Sequence, residues 1–247
     1  VRRHLEELNT PSADAPAHRV ENAAAVALDG TGAVRMLIGS PDYWDASIDG
    51  AVNGATTLRQ PGSALKPFTY AAAFERGMSP ASTVADVRTE FRTAEGEPYV
   101  PGNYDLQYHG LVSLREALAG SYNVAAVKVL DEIGIQALPN MVRRLGIETL
   151  NQPERQGLAL TLGGAEVRLL DLTAAYAILS ANGQRVTPHL IERVTGMDGA
   201  VLYTWEPPAI VQAMDPRIAF LVTDVLSDAD ARATAFGSGT ALELPFR

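Results

Sequence analysis

A serine and a lysine three residues apart open the helical part of the stretch RQPGSALKPFTYAAAFERG, which runs from Arg59 to Gly77. The chain has 20 lysines and arginines, but only Lys66 and Lys128 are lysines. Arginine cannot act as a base because its pKa stays above about 12, whereas burial and a helix N-terminus can bring a lysine amine into its neutral form. If both side chains share one face of a helix, the Lys66 amine can take the proton of the Ser63 hydroxyl and make that oxygen a nucleophile.

The same spacing also has an ordinary explanation. With 11 serines and two lysines in the chain, a Ser-x-x-Lys pattern arises by chance about one time in ten. Pro61 and Gly62 force a turn directly before Ser63, which places the pair at a helix start and favours the catalytic interpretation. A purely structural role remains the alternative.

A second group of polar residues, Gly120-Ser121-Tyr122-Asn123, interrupts two predicted helices. A hydroxyl and an amide two residues apart in such a break can relay a proton and hold a substrate amide. The alternative is structural, because Ser and Asn are also favoured at helix N-caps and this group directly precedes a helix. The sequence leaves both roles open for Ser121 and Asn123.

The composition describes a globular chain of one large or two small domains, with 247 residues of which 47% are hydrophobic and 20% charged. The net charge of -9 argues against a nucleic-acid partner, because nucleic acids normally bind to a positively charged protein surface. Cysteine is absent, which excludes disulfides and thiolate metal sites, and the four histidines share no metal-like spacing. The sequence therefore suggests no cofactor and no metal. No apolar run approaches 18 residues, so we expect this segment to make no membrane contact.

The elements that must position these residues are two hairpins and a mainly helical middle. Turn signals predict hairpins around Asp29–Gly32 and Asp198–Gly199. Residues 78–112 read as irregular. Helices are predicted over residues 63–76, 113–119, 124–134, 136–145, 165–182 and 216–226, with a Ser113/Glu116 capping box opening the second. This predicts an α/β (α+β) fold with an antiparallel sheet, incomplete here because two hairpins cannot form a covered sheet. We expect residues 1–20 to be a linker from an upstream region, after a short helix, and residues 21–247 to be the domain.

Several separate segments resemble one enzyme family. "RQPGSALKPFTY", "GSYN" and "GLALTLGGAEVRLLDLTAAYAILSANG" follow one another as they do in the transpeptidase domain of penicillin-binding proteins. That family combines Ser-x-x-Lys and Ser-x-Asn with a later Lys-Thr-Gly. The "ALELPF" ending resembles the bifunctional class A members, those of the penicillin-binding protein 1C type in particular.

The resemblance implies a serine β-lactamase/transpeptidase-like fold and D-alanyl-D-alanine transpeptidation, in which an acyl-enzyme cross-links peptidoglycan stem peptides. It implies Ser63 as the nucleophile, Lys66 as its base, Ser121 as the residue that passes a proton to the departing amine, and Asn123 as a substrate-binding residue. One oxyanion donor would be the Ser63 N–H. It also implies inhibition by β-lactam antibiotics, and a location on the periplasmic face of the cell membrane through an upstream anchor.

The sequence departs from the family in one respect, because it contains no Lys-Thr-Gly. We therefore expect the chain to stop before that motif and before the C-terminal strands, and the 247-residue chain to be inactive or weakly active. Two other functions stay open. A serine β-lactamase would need a deacylating base, for which only Glu154 and Glu166 are candidates. A penicillin-sensing or scaffold domain would keep the fold without turnover.

Overall fold

The computed structural model describes residues 1–11, 18, 20–92 and 96–240. In this part of the chain the α-helices are α1 (Arg2–Asn9), α2 (Lys66–Glu75), α3 (Leu114–Ala119), α4 (Asn123–Ile133), α5 (Ala137–Arg144), α6 (Pro153–Gln156), α7 (Leu169–Ser180), α8 (Pro216–Leu226) and α9 (Ala229–Phe236). Short 3₁₀ helices cover Ala46–Ile48, Gly62–Leu65 and Gly157–Leu162. Within these ranges no helix is both long enough and apolar enough to cross a bilayer.

The strands of the described residues are short and pair antiparallel. They are β1 (Ala25–Leu28), β2 (Val34–Ile38), β3 (Leu58–Arg59), β4 (Thr83–Asp86), β5 (Phe91–Arg92), β6 (Pro98–Tyr99), β7 (Gly110–Ser113), β8 (Val167–Arg168), β9 (Arg193–Thr195) and β10 (Val201–Thr204). The pairs are β1–β2, β3–β8, β4–β7, β5–β6 and β9–β10. Mixed helix and antiparallel strand agrees with the predicted α+β class.

The chain divides into two compact units. The first comprises Val1–Arg59, Val167–Ala177 and Val186–Ala209, and the second comprises Gln60–Glu166, Ile178–Arg185 and Ile210–Arg247. The first unit contains both predicted hairpins, and the second contains all four predicted site residues. The predicted linker over residues 1–20 lies partly outside the described residues, and its boundary with a domain starting at residue 21 stays a prediction.

Turn chemistry shapes the hairpin of β1 and β2 in the first unit. The Asp29 carboxylate accepts hydrogen bonds from the Thr31 N–H at 2.9 Å, the Thr31 hydroxyl at 2.6 Å and the Ala33 N–H at 3.1 Å. These bonds hold the pKa of the Asp29 carboxyl well below its usual range. The hairpin predicted from this turn is confirmed, and so is that of β9 and β10, where the Asp198 carboxylate accepts from the Ala200 N–H.

Helix α2 lies at the centre of the second unit. Every residue from Lys66 to Phe74 is buried, as expected of a helix that is apolar all round. It packs against α3, α4, α5 and α8. Full burial of a side chain such as Phe68, or Leu65 just before the helix, contributes about 1.5–3 kcal/mol. The helix is therefore a rigid support for the residues at its N-terminus.

The predicted capping box opens α3, as expected. The Ser113 hydroxyl accepts from the Glu116 N–H at 3.2 Å, and the Glu116 carboxylate accepts from the Ser113 N–H at 2.7 Å. Several regions differ from the sequence-based expectation. The segment 78–112 contains β4 to β7 rather than irregular structure alone, and α9 follows α8 where no helix was expected. The helix predicted from residue 165 begins at Leu169, because residues 167–168 pair with β3.

Candidate active site

Lys66, the first residue of α2, directly follows the short 3₁₀ helix Gly62–Leu65 that contains Ser63. Because a 3₁₀ helix has three residues per turn, the side chains at i and i+3 lie in line. The Lys66 N–H donates to the Ser63 carbonyl, which closes this turn before α2 begins. Gly62 has φ +58°, a left-handed conformation that suits glycine, and this turns the chain into the helix. The predicted helical placement of the pair is confirmed.

A cavity of about 520 Å³ lies in the second unit. Its walls include Ser63, Asn103, Asp105, Ser121, Asn123 and Phe236. Three of the four predicted site residues thus line one cavity. The fourth, Lys66, is only 1% exposed and touches two of the residues in the wall.

The Lys66 amine is held by three oxygen atoms. It donates to the Ser121 carbonyl and to the Asn123 Oδ1 at 2.6 Å, and its Nζ lies 3.1 Å from the Ser121 Oγ. No carboxylate among the described residues forms an ion pair with it. Burial lowers the pKa of Lys66 from its usual 10.5 to about 7. The amine is therefore neutral in a large fraction of molecules at neutral pH.

The three contacts can serve either form of the amine. An ammonium has three N–H groups and can donate to all three oxygens. In the neutral form the Ser121 carbonyl and the Asn123 Oδ1, which can only accept, take both N–H groups, and the lone pair remains for a hydroxyl donor. The Ser63 hydroxyl makes no hydrogen bond within the described residues, and the contacts of the Lys66 amine go to Ser121 and Asn123 and not to Ser63.

Ser121 adopts an unusual backbone conformation. Its φ of +57° lies in the left-handed region, which costs a non-glycine residue about 1–2 kcal/mol. In this conformation both its carbonyl oxygen and its hydroxyl contact the Lys66 amine. The alternative that Ser121 or Asn123 caps α4 is wrong, because the N-cap position is Tyr122 and no side chain at that position makes the cap bond.

The side-chain amide of Asn123 has a fixed orientation. Its Oδ1 faces the donor Lys66, and its Nδ2 donates to the Gly102 carbonyl at 2.9 Å. The amide group has two N–H donors, and among the described residues its only acceptor is the Gly102 carbonyl, which can take one of them. Asn123 can therefore hold the base and still donate to a ligand.

Other polar residues lie near the cavity. Asp105, in the loop before β7, lines the wall, and its Oδ2 lies 3.0 Å from the His109 Nε2. The His109 ring stacks on the Tyr122 ring with centroids 3.8 Å apart. The two glutamates considered as deacylating bases, Glu154 and Glu166, are exposed and do not line the cavity.

Asn103 was not predicted, although it lines the cavity. Its hydrogen bonds reach residues 17 and 20 positions away in sequence, and no short motif or periodicity marks such a separation. Lys128, the second lysine of the chain, is half-buried and donates to the Ala85 carbonyl at 2.6 Å.

The family described as the penicillin binding protein transpeptidase domain matches residues 23–243. The chain belongs to this family. Penicillin-binding protein 1A from Neisseria cinerea is 33% identical over 223 residues, which cover 87% of this chain and 27% of that relative. The chain thus spans 27% of the length of this curated relative.

Solved structures agree with this assignment. Penicillin-binding protein 1A from Haemophilus influenzae superposes with a TM-score of 0.74 and 26% identity, over 83% of this chain and 35% of that one. The PonA1 protein from Mycobacterium tuberculosis, solved in complex with penicillin V, has a TM-score of 0.72 and 23% identity, over 87% of this chain and 57% of that one. The transpeptidase-like fold implied by the resemblance is confirmed. The finer resemblance to the 1C type rests on residues 241–246, which lie outside the described residues, and stays a prediction.

Proposed function

We propose that this penicillin-binding protein transpeptidase domain forms an acyl-enzyme at Ser63 and transfers the acyl group of a D-alanyl-D-alanine stem peptide to an amine. The observation that supports this most is the Lys66 amine, which is buried, held by uncharged oxygens and has a pKa of about 7. Such an amine can accept a proton near neutral pH, and it lies one 3₁₀ turn from the exposed Ser63.

In the first step, the Ser63 Oγ attacks the carbonyl carbon of the penultimate D-alanine, and Lys66 takes the hydroxyl proton. The bond from carbon to the departing D-alanine nitrogen then breaks. The proton returns from Lys66 through the Ser121 hydroxyl to that nitrogen, which leaves as a neutral amine. The free N–H of Asn123 donates to the backbone of the acyl donor, and the Ser63 N–H is one donor to the oxyanion.

In the second step, the amine of another stem peptide attacks the ester carbonyl. A carbon–nitrogen bond forms, the bond to the Ser63 Oγ breaks, and the amine proton passes to Lys66 and back to Ser63. One amide is exchanged for another, so the reaction consumes neither water nor a cofactor. The product is a cross-link between two peptidoglycan strands.

We extend the proposal to β-lactam antibiotics as inhibitors. The relative solved with penicillin V shows a ligand of this class on a protein of the same fold, and ring opening by Ser63 would leave the departing nitrogen attached to the adduct. We also propose that the domain acts outside the cytoplasm, on the periplasmic face and through an upstream anchor, since its substrate is cell-wall peptide. The weak activity expected of the isolated 247-residue chain stays a prediction.

The test is acylation of the gene product that contains this chain by a fluorescent penicillin. We expect one adduct per molecule, mapped to Ser63 by peptide mass spectrometry, and none in Ser63→Ala. An adduct on another residue, or no adduct at all, would overturn the proposal.

The lifetime of the adduct separates the alternatives. Persistence for hours supports a transpeptidase, and turnover in seconds supports a β-lactamase. If Ser63→Ala keeps the cellular role of the gene product, the domain is a scaffold and the proposal is wrong.

A further inference from the structure

Asp86, at the end of β4, is a carboxylate with 0% exposure that the proposed reaction does not use. A buried carboxylate is costly unless its oxygens are hydrogen-bonded. Asp86 accepts from the Asn103 Nδ2 at 2.8 and 3.0 Å and from the His109 backbone N–H at 3.0 Å, and its Oδ2 lies 2.6 Å from the His109 Nδ1. Its partners lie in the segment that precedes α3 and reaches the cavity wall.

These contacts fix the orientation of the Asn103 side chain. Its Nδ2 donates to Asp86 and to the Gln107 carbonyl at 2.8 Å. Its Oδ1 accepts from the N–H of Asn123 at 2.8 Å and from the N–H of Val124 at 3.2 Å. A carboxylate can only accept and a backbone N–H can only donate, so the opposite orientation of the amide would lose the bonds on both sides.

Asn103 thereby caps α4 from 20 positions upstream. The first N–H groups of a helix lack partners within the helix, and a side chain usually supplies them from the N-cap position. Here the N-cap residue is Tyr122, which supplies no such bond. Because Asn103 takes over the cap, Ser121 and Asn123 can turn their side chains to the Lys66 amine instead.

The side chain of Asn103 has no group left for a ligand. Both of its N–H groups are used by Asp86 and Gln107, and its Oδ1 already accepts two hydrogen bonds. It therefore acts through its neighbour Asn123, whose backbone it holds. The adjacent Gly102 carbonyl holds the Asn123 side chain as well.

We propose that Asn103, oriented by the buried Asp86, is a positioning residue that sets the Ser121–Asn123 segment against the Lys66 amine. The proposal rests on the function proposed above, since the position of that amine matters only if Ser63 is acylated. It predicts that the polarity of the Asp86–Asn103 pair, and not its volume alone, controls the rate of acylation.

The first test swaps the carboxylate of Asp86 and the amide of Asn103 in the gene product that contains this chain. Asn103→Asp keeps the shape but sets two carboxylates against each other, so we expect acylation by a fluorescent penicillin to slow by about tenfold to a hundredfold. The double variant Asp86→Asn with Asn103→Asp returns an amide opposite a carboxylate, although the Gln107 carbonyl still lacks its donor, and is expected to recover part of that loss. A wild-type rate in Asn103→Asp, or a double variant as slow as the single one, would overturn the proposal.

A second test does not depend on activity and serves if Asn103→Asp does not fold. Asn103→Ser shortens the side chain, so we expect the N–H groups of Asn123 and Val124 to exchange with deuterium about tenfold faster. Unchanged exchange at both positions would contradict the cap. Ser113→Ala is the matched control, because it removes the cap of α3 but is expected to leave the acylation rate unchanged.

The two proposals fail differently in these measurements. No adduct at Ser63 in the wild-type protein would overturn the proposed function and this role with it. A normal adduct rate in Asn103→Asp, beside a wild-type protein acylated at Ser63, would overturn the positioning role alone.

Discussion

The Nζ atom of Lys66 lies 2.6 Å from the Oδ1 atom of Asn123, an amide oxygen that carries no full charge. The other two oxygens at this amine belong to the carbonyl and hydroxyl groups of Ser121. A carboxylate in such a place would strongly favour the protonated lysine, whereas uncharged oxygens fix the position of the amine and favour its protonated form less. Burial can then lower its pKa, which suits a base.

The first prediction concerns the pH dependence of acylation. The base is the neutral amine, so the second-order rate constant should fall as pH drops through the Lys66 pKa of about 7. Below that pH the neutral fraction decreases about tenfold per pH unit, and above it the rate should level off. Stopped-flow measurements with a fluorescent penicillin between about pH 5.5 and 8.5 test this. A rate that stays constant across the range would show that Lys66 is not the base.

The second prediction concerns a negative charge introduced in place of the side-chain amide of Asn123. Asn123→Asp puts a carboxylate beside the Lys66 amine, and an opposite charge at this distance raises a lysine pKa by about 1–3 units. The midpoint of the pH–rate profile should move upward, so acylation at pH 7 falls and recovers in alkaline buffer. Asn123→Ala is the control, since it should slow the reaction without that upward move. An unchanged midpoint in Asn123→Asp would contradict the electrostatic account.

The sequence identified those candidate site residues that lie close together along the chain. Ser63 and Lys66 share one turn, and Ser121 and Asn123 share one break between helices, so a short motif contains each pair. Turn chemistry likewise identified the hairpin at Asp29, because its bonds to Thr31 and Ala33 reach residues within four positions.

The sequence could not predict groups that meet only after folding. The side-chain amide of Asn103 bonds to Asp86, 17 positions before it, and to the backbone of Asn123, 20 positions after it. No periodic pattern in the sequence marks any of these three residues. The strands β4 and β7 were missed for the same reason, since each has four residues and its partner lies beyond a long connection. Whether Ser121 caps α4 was likewise open from the sequence, because the residue that supplies this cap, Asn103, lies 20 positions before Asn123.

The third prediction concerns the close approach of two glycines. A Cβ at Gly163, which has φ +81°, would lie 2.2 Å from the N atom and 2.5 Å from the Cα of Gly62. Backbone atoms cannot yield as a flexible side chain does, so Gly163→Ala should displace the turn that carries Ser63. We expect acylation to slow by about tenfold to a hundredfold.

Gly157→Ala is the matched control for that variant. Gly157 also has a positive φ, +56°, but a Cβ there meets nothing within 4 Å. Both substitutions therefore carry the left-handed penalty of about 1–2 kcal/mol, and both should lower the melting temperature. Only Gly163→Ala should slow acylation, and equal rates in the two variants would show that the contact with Gly62 does not position Ser63.

The fourth prediction concerns α9, whose last residues line the cavity. The Arg115 guanidinium donates to Asp224 and, at 2.7 Å, to Asp228, whose carboxylate also accepts from the Ala231 N–H at the start of α9. Arg115→Met keeps most of the side-chain volume but removes both ion pairs. We expect the free energy of unfolding to fall by about 1–2 kcal/mol and the amides of α9 to exchange faster.

The control for Arg115→Met is Arg217→Met, which removes an arginine–aspartate pair whose arginine is 87% exposed. An exposed pair contributes at most about 1 kcal/mol, so this variant should change stability little and leave exchange in α9 unaltered. In Arg115→Met the midpoint of the pH–rate profile should stay that of the wild type, because α9 makes no hydrogen bond to the Lys66 amine within the described residues. Unchanged exchange in α9 would mean that Arg115 does not hold this wall of the cavity. A shifted midpoint would mean that the wall and the base are coupled.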